Sequence, residues 1–201
     1  MILDMKETAA ILSALLILAA SPPYIIDTLK HKTKPERITW FIFSVLGVTA
    51  FVSQLSLGAS WSLLFSGLDT LVSILVFVLS LKFGVGGHTK LDIGALVIAG
   101  IGIIVALVAK QPIISLLGVV LADMSGVSLT LRKVYVKPGS ETTISWLLVG
   151  TASLLGAIAV GKLSLTLLLY PMYLMIANYA VPATQWISRH NRLSSRSSSQ
   201  G

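Results

Sequence analysis

The chain has 201 residues, of which 55% are hydrophobic and only 11% are charged. Soluble globular domains carry about 25% charged residues, so this composition excludes an ordinary soluble domain. The formal net charge is +7, but the basic residues are spread over several short segments, which argues against a nucleic-acid-binding surface. The chain contains no cysteine, which excludes disulfide bonds and thiolate chemistry.

The apolar residues form long runs, not the spaced stripes of amphipathic helices. Each run is close to the ~20 residues that an α-helix needs to cross a bilayer. In chain order the seven runs cover residues 8–28, 38–56, 61–82, 92–110, 112–131, 143–161 and 164–187. We therefore predict an all-α, multi-pass membrane protein with seven transmembrane helices. The polar, serine-rich tail, residues 189–201, is predicted to be disordered.

Two stretches of the chain resemble each other and run in the same direction through the membrane. Their first helices end in similar segments, SPPYIIDTLK at 21–30 and DMSGVSLTLR at 123–132. Each segment is followed by a Lys-Pro loop and then by a similar tetrad, RITW at 37–40 and TISW at 143–146. Duplicated helical units of this kind are common in transporters, where the binding site lies between the copies.

The odd number of helices follows from this duplication. A three-helix unit ends on the opposite side of the membrane from its start, so two parallel copies require one additional helix between them. We predict a 3+1+3 arrangement, with repeats at 1–82 and 112–188 and a linker helix at 92–110. The linker is rich in glycine and alanine, which suits close helix packing, and we predict that it has no catalytic or binding role.

The distribution of basic residues predicts the orientation. Twelve of the fifteen lysines and arginines lie in the loops after predicted helices 1, 3 and 5 or in the C-terminal tail. Cytoplasmic loops carry such an excess, so we place these loops and the C-terminus in the cytoplasm and the N-terminus outside, in the cell membrane. Contact with anionic membrane lipids is a natural consequence of this charge.

The first predicted helix resembles a known family. Residues 21–33, SPPYIIDTLKHKT, resemble the first-helix motif of SWEET sugar transporters, which has a helix-breaking proline, an apolar stretch and a lysine-rich loop. SWEETs belong to the PQ-loop (MtN3-like) superfamily and have 3+1+3 helices, an outside N-terminus and parallel repeats. The single-repeat SemiSWEETs dimerise, and the KDEL receptor shares the architecture. The resemblance implies alternating access between two repeats, and it leaves a homo-oligomer open.

The resemblance also assigns positions to a pocket and to hinges. SWEETs place asparagines at equivalent pocket positions in helices 3 and 7, which correspond here to Asp69 and Met172. A carboxylate and a thioether thus replace the pair of amides. SWEETs have hinge prolines in helices 1, 2, 5 and 6. Pro22 and Pro23 correspond to the hinge of helix 1, and Gly126 lies near that of helix 5.

Asp69 is the most informative polar residue of the apolar runs. It lies near the middle of the third run, where a carboxylate costs about 2.5–3.5 kcal/mol, so it should face the bundle interior or a water-filled cavity. We predict that it contacts substrate or a coupled proton. The alternative is a neutral aspartate that hydrogen-bonds a neighbouring helix.

Two further polar residues are candidates for substrate binding. Asp123 lies at a similar depth in the fifth run, although nearby serines and threonines offer it purely structural partners. Asn178 lies in the seventh run, near Tyr170 and Tyr173. An asparagine at such a position either contacts a ligand or links neighbouring helices.

Trp40 and Trp146 begin the second and sixth runs at the predicted cytoplasmic boundary. Tryptophan is enriched at membrane interfaces, so we predict that both anchor the protein there, with an inner gate as the alternative.

The sequence favours a transporter or facilitator of a small polar solute, with proton coupling left open. A receptor or assembly protein of the same fold is the alternative. A water-accessible central cavity lined by Asp69 would favour transport. No nucleophile–base pair, phosphate loop or metal-ligand spacing is present, so we predict no enzyme activity, no metal and no cofactor.

Overall fold

The computed structural model describes residues 4–56, 61–160 and 163–197, with side chains for 4–52, 67–160 and 163–192. Over these residues the chain is all-helical, with seven α-helices, as the apolar runs predict. The helices are α1 (Met5–Leu29), α2 (Arg37–Ser56), α3 (Trp61–Phe83), α4 (Lys90–Val108), α5 (Pro112–Val136), α6 (Thr143–Val160) and α7 (Leu165–Ser197).

The helices are suited to a lipid environment. Over the described residues, five of them are long and apolar enough to cross a membrane, namely α1, α4, α5, α6 and residues 165–192 of α7. Many large apolar side chains point away from the bundle, among them Leu71 on α3 and Ile104 on α4. Exposed apolar surface of this extent is rare on monomeric soluble proteins. Covering by lipid tails accounts for it, as expected of a helical membrane protein.

Prolines and glycines set the ends of several helices. The loop before α2 contains Pro35, and α5 begins at Pro112, where the missing N–H of proline is not needed. The loop between α3 and α4 turns through Gly86 and Gly87, which have φ angles of +86° and +96°. A side chain at Gly86 would also be 1.8 Å from Glu36 Oε1, so glycine is required there for space as well as for conformation.

The first half of the bundle (α1–α3) and the second half (α5–α7) pack in a matched pattern. Within the halves, α2 contacts α3 as α6 contacts α7, and α1 contacts α3 as α5 contacts α7. Between the halves, α1 packs against α6 and α5 packs against α2. Exchanging the three helices of one half for those of the other leaves this set of contacts unchanged.

Helix α4 packs on α5 through small residues, as its composition predicts. A Cβ added at Gly102 would lie 2.5 Å from the carbonyl oxygen of Gly118. A Cβ added at Gly118 would lie at the same distance from the carbonyl oxygen of Gly102. Ala106 and Ala122 complete this contact. The two helix backbones therefore approach each other closely, which fixes α4 to the outside of the second half.

Three loops and the C-terminal part of α7 meet at one end of the bundle. Backbone hydrogen bonds join Arg37 N to Val85 O at 2.9 Å and Lys34 N to Ser140 O at 3.0 Å. Gly139 N donates to Gln185 Oε1 at 2.7 Å. We call this end, formed by residues 30–36, 84–89 and 137–142, the basic end, and the opposite end the far end. The basic loops thus lie together, as the charge count predicts, and their position in the cytoplasm stays a prediction.

The prediction of a disordered tail from residue 189 is wrong for residues 189–197. Helix α7 continues to Ser197, and residues 198–201 lie outside the described part of the chain. The extension is fixed to α5, because Ser188 Oγ donates to Tyr135 O at 2.6 Å and Arg192 donates to Val136 O. Composition alone missed these tertiary contacts, which hold a polar segment in helical form.

Candidate functional site

A cavity of about 470 Å³ lies at the centre of the bundle. Described side chains from all seven helices line it, and most of them are aliphatic or aromatic. Its polar side chains come from both halves, including Ser21 and Ser73 from the first and Ser145 and Ser153 from the second. The volume and the mainly apolar lining with a few polar groups are typical of small-molecule sites.

The two predicted carboxylates meet in this cavity. Asp69 from α3 is accessible to solvent at the cavity wall, and Asp123 from α5 is buried beside it. Both carboxylates line the same cavity, and Tyr170 lines it with them. Tyr173 Oη donates a hydrogen bond to Asp123 Oδ2 at 2.6 Å. Asp123 therefore has a structural partner, whereas Asp69 is the more accessible carboxylate.

Asp69 also borders a second cavity of about 420 Å³. This cavity lies between α1, α3 and α6 and is lined by Ala10, Ser13 and Ala159. Residues near the start of α1 and near the end of α6 lie towards the far end of the bundle. Asp69 thus stands between the central cavity and a recess that extends towards the far end.

Helix α7 contributes to the cavity through one face. Tyr170, Leu174 and Asn178 are spaced by four residues, so they share a face of the helix and all line the cavity. Asn178 Nδ2 donates to the carbonyl of Leu174 at 2.8 Å. Met172 is 39% exposed and lies two residues from Tyr170, which turns it away from this face. Met172, which the resemblance assigns to a pocket position, does not line the cavity in this structure, and Tyr170 is the residue of this turn that does.

A buried hydrogen-bonded cluster closes the cavity at the basic end. Tyr24 Oη donates to Glu141 Oε1 at 3.1 Å and accepts a hydrogen bond from Trp40 Nε1 at 3.0 Å. Trp146 Nε1 donates to Glu141 Oε2 at 2.9 Å, and Lys133 forms a salt bridge with Glu141. Tyr24, Trp40 and Trp146 also line the cavity. We call these five residues the aromatic–glutamate cluster.

The cluster joins the two halves, and further bonds at the basic end reinforce it. Thr33 Oγ1 and Thr142 Oγ1 lie 2.5 Å apart, and Thr142 Oγ1 donates to Asp27 Oδ2 at 3.0 Å. Towards the far end, Ser13 Oγ donates to Ala152 O at 2.8 Å. Among the described residues, polar contacts between the halves are thus concentrated at the basic end.

The two tryptophans lie inside the bundle, not at its lipid surface. Trp146 is 6% exposed and Trp40 is half-buried, with its ring centroid 5.0 Å from that of Tyr24. An interface anchor presents its ring to lipid headgroups, so the structure does not fit the anchoring prediction. Trp186 near the end of α7 is 71% exposed and stacks on His190, and it is the better candidate for an anchor.

The predicted hinges fall at two different kinds of position. Pro22 and Pro23 lie inside α1, where each removes one backbone hydrogen bond from the helix. Ser21 beside them lines the cavity, so the interrupted turn borders it. Gly126 lies in continuous helix, and its carbonyl oxygen is 2.5 Å from Thr39 Oγ1. Gly126 therefore allows close packing of α5 on α2, and nothing marks it as a bend.

Sequence reasoning missed Glu141, Lys133 and Tyr24 as parts of one cluster. Tyr24 lies within the aligned segment of α1, and Glu141 is an acidic residue in an otherwise basic loop. That local reversal of charge was the available signal, because a carboxylate beside lysines often forms an ion pair.

Comparisons with protein-family models, with curated proteins and with solved structures find no match to this chain.

Proposed function

We propose that the chain is a transporter or facilitator of a small polar solute that works by alternating access between its two three-helix halves. In this proposal the protein is a SWEET-like member of the PQ-loop superfamily in the cell membrane. Its helices are arranged as 3+1+3, with the basic end in the cytoplasm and the N-terminus outside.

The central cavity is the observation that carries the proposal. It lies between the halves at mid-bundle, and both halves contribute polar side chains, with Asp69 from the first and Asp123 and Asn178 from the second. Transporters built from two repeats bind their solute at such a place. A tightly packed bundle would have favoured an assembly protein, so the cavity supports solute binding, and transport is the function that we propose for it.

The two ends of the cavity support alternating access. The aromatic–glutamate cluster closes the basic end through hydrogen bonds from Tyr24 and Trp146 to Glu141. On the other side, the recess beside Asp69 extends towards the far end. A structure closed at one end, with a route from the site towards the other, corresponds to one of the two states that alternating access requires.

The matched packing of the halves supports the 3+1+3 arrangement. The contacts of α1 with α6 and of α5 with α2 are exchanged when the halves are exchanged, as for two copies of one unit. Helix α4 has no counterpart in the other half and packs mainly on α5. This is the position expected of a linker that restores the direction of the second copy.

Solute uptake by the purified full-length chain in proteoliposomes tests the proposal. We expect saturable uptake of at least one small polar solute from a mixed panel, measured with and without a pH gradient. Uptake should fall in Asp69→Asn and stay unchanged in the matched control Asp4→Asn. Asp4 is exposed at the N-cap of α1, where asparagine serves equally well. A solute that binds without being transported would favour the receptor alternative.

The hinge in α1 gives a second test. The double change Pro22→Ala with Pro23→Ala restores backbone hydrogen bonds and stiffens α1. We expect normal insertion and impaired uptake. The matched control is Pro112→Ala, because Pro112 starts α5 and removes no helical hydrogen bond. Unchanged uptake in the double variant would leave the prolines with a packing role only.

A further inference from the structure

We infer that the solute of this protein is a small organic cation with an ammonium group, held between the carboxylates of Asp69 and Asp123. The inference rests on the proposed function, since it names the class of solute for the same central cavity.

The charges around the cavity have one sign. Among the described residues that line it, the acidic ones are Asp69 and Asp123, and no lysine, arginine or histidine is present. Lys133, the cation of the aromatic–glutamate cluster, forms a salt bridge with Glu141 and donates to the carbonyl of Lys34. It lies beyond the layer formed by Tyr24 and Trp146, so it does not neutralise the cavity.

Two carboxylates in a membrane protein interior require compensation. A charged carboxylate is costly at the centre of a bilayer, and two charged carboxylates that face one cavity repel each other. The hydrogen bond from Tyr173 stabilises Asp123 but supplies no charge. A cationic solute between them would compensate both carboxylates. A neutral sugar would leave the repulsion in place.

An unpartnered hydroxyl in the cavity wall is an independent indication of a ligand. Ser145 is 5% exposed and lines the cavity, and within the described part of the chain its Oγ has no hydrogen-bond partner. Buried polar groups almost always have partners, so the site lacks a group that can bond this hydroxyl. An ammonium carries donors only and no acceptor. A wall of carboxylate and hydroxyl oxygens therefore matches it.

Aromatic rings form much of the remaining wall and favour an organic cation. The rings come from five lining residues, Tyr24, Trp40, Phe43, Trp146 and Tyr170. Aromatic faces attract ammonium groups, most strongly where water is excluded. The cavity volume of about 470 Å³ leaves room for an organic cation with its carbon skeleton.

A bare metal ion fits the cavity less well. Calcium takes about six to eight oxygen ligands, and magnesium requires a nearly ideal octahedron of oxygens, neither of which aromatic side chains supply. Within the described residues, no group of three or more histidine, cysteine, aspartate or glutamate side chains could hold a metal ion. The two carboxylates among aromatic rings therefore suit an ammonium better than a hard cation.

Matched probes of different charge test the inference on the full-length chain in proteoliposomes. The cations are labelled putrescine, whose amines donate N–H hydrogen bonds, and labelled choline, whose quaternary ammonium has no N–H and tests charge and aromatic contacts alone. The neutral probes are labelled glucose and unlabelled competitors that replace each nitrogen by carbon or oxygen. We expect uptake of at least one cation to exceed that of glucose by about tenfold or more, which corresponds to 1.4 kcal/mol. An inside-negative potential should increase cation uptake, and the neutral isosteres should not compete.

The variants locate the effect at the site. Asp69→Asn and Asp123→Asn should each lower cation uptake, the first by about tenfold, while Asp4→Asn should match the wild type. Thermal unfolding of each protein in nanodiscs is measured with and without choline or putrescine. If one aspartate variant fails to fold, the charge preference of the wild type still decides the question.

The outcomes separate the inference from the proposed function. Saturable uptake of glucose without uptake or binding of either cation overturns the inference and leaves transport standing. A cation that raises the melting temperature of the wild type, but not of Asp69→Asn, without any uptake supports the cation site and overturns transport. Neither binding nor uptake of either cation overturns the inference.

Discussion

The two crossings between the halves, α1 on α6 and α5 on α2, use aligned positions in opposite ways. Tyr24 of α1 aligns with Gly126 of α5, and Ser145 of α6 aligns with Thr39 of α2. In the first crossing Tyr24 extends a ring to the partner loop and Ser145 Oγ has no partner among the described residues. In the second crossing Thr39 packs against Gly126, and its hydroxyl lies 2.5 Å from the Gly126 carbonyl oxygen.

This difference indicates that the crossings have different mechanical properties. The crossing of α5 and α2 is held by the contact of Thr39 Oγ1 with the Gly126 carbonyl oxygen and by Thr130 Oγ1, which donates to Thr39 Oγ1 at 3.0 Å. The crossing of α1 and α6 depends on side chains that also line the cavity, and α1 contains the two prolines. We interpret the α5–α2 crossing as the fixed contact of the bundle and the α1–α6 crossing as the one that opens.

The largest expected effect in the α1–α6 crossing comes from Glu141→Gln. The change leaves Lys133 as a buried cation without its counter-charge, which costs about 3–5 kcal/mol. We expect the free energy of unfolding in mixed micelles to fall by that amount. The matched control Glu7→Gln alters an exposed carboxylate in the first turn of α1 and should have little effect. Equal stability of Glu141→Gln and the wild type would remove the cluster as a stabilising element.

The α5–α2 crossing is tested by placing there the residue that α1 has. A Cβ added at Gly126 would lie 3.5 Å from Ile42 and Thr39, which leaves no room for the ring of Gly126→Tyr. This substitution should therefore lower the free energy of unfolding by about 1–3 kcal/mol or prevent assembly. Gly126→Ala meets only ordinary van der Waals distances, and alanine is the better helix former, so it should be neutral or mildly stabilising. Both are measured by unfolding in mixed micelles. A tolerated tyrosine would mean that the two crossings are interchangeable.

The sequence predicted the helices well, because seven apolar runs of bilayer length leave little freedom of assignment. It also predicted that Asp69, Asp123 and Asn178 face the bundle interior, where all three line the central cavity, since polar residues in such runs turn inward; their role in substrate binding stays a prediction. It assigned Met172 to the position where Tyr170 lines the cavity, because the family motif fixes no helix register and residues two positions apart point about 200° apart around a helix. It missed the aromatic–glutamate cluster, because that cluster joins residues more than one hundred positions apart.

A smaller effect is expected from Tyr24→Phe, which removes only the hydroxyl between Trp40 and Glu141. The loss should be about 1 kcal/mol, the net value of a hydrogen bond. The opening of the basic end is the sharper measurement. Since the chain has no cysteine, Ser73→Cys introduces a single thiol into the cavity wall.

Labelling of that thiol by an impermeant maleimide should become faster from the basic end when Tyr24→Phe is added. The matched control Tyr135→Phe alters an exposed tyrosine and should leave the labelling rate unchanged. If Tyr24→Phe has no effect on access from either side, the α1–α6 crossing does not act as the gate.

The smallest expected effect concerns pH and the carboxyl group of Glu36, in the loop before α2. Glu36 is 3% exposed, and its Oε2 accepts hydrogen bonds from Thr39 N at 2.7 Å and Thr39 Oγ1 at 3.0 Å. Burial raises the pKa of this carboxyl above its ordinary value, and the charge of Asp92 adds to the effect. The bonds from Thr39 and the charge of Lys133 oppose the increase without cancelling it.

The raised pKa means that the folded protein binds a proton at Glu36 more tightly than the unfolded chain does. The resulting stability is fully present below the unfolded pKa and is lost as the pH rises through the folded pKa. Glu36→Gln keeps an acceptor for Thr39 but does not titrate, so its stability lacks this loss. The stability of the variant relative to the wild type should therefore be greater at about pH 8 than at about pH 4. We expect a difference below about 1 kcal/mol, read from melting temperatures in nanodiscs, with Glu7→Gln as the exposed control. If the stability difference between Glu36→Gln and the wild type is instead the same at about pH 4 and at about pH 8, Glu36 binds its proton equally well in the folded and unfolded states. In that case this part of the α5–α2 crossing does not respond to pH.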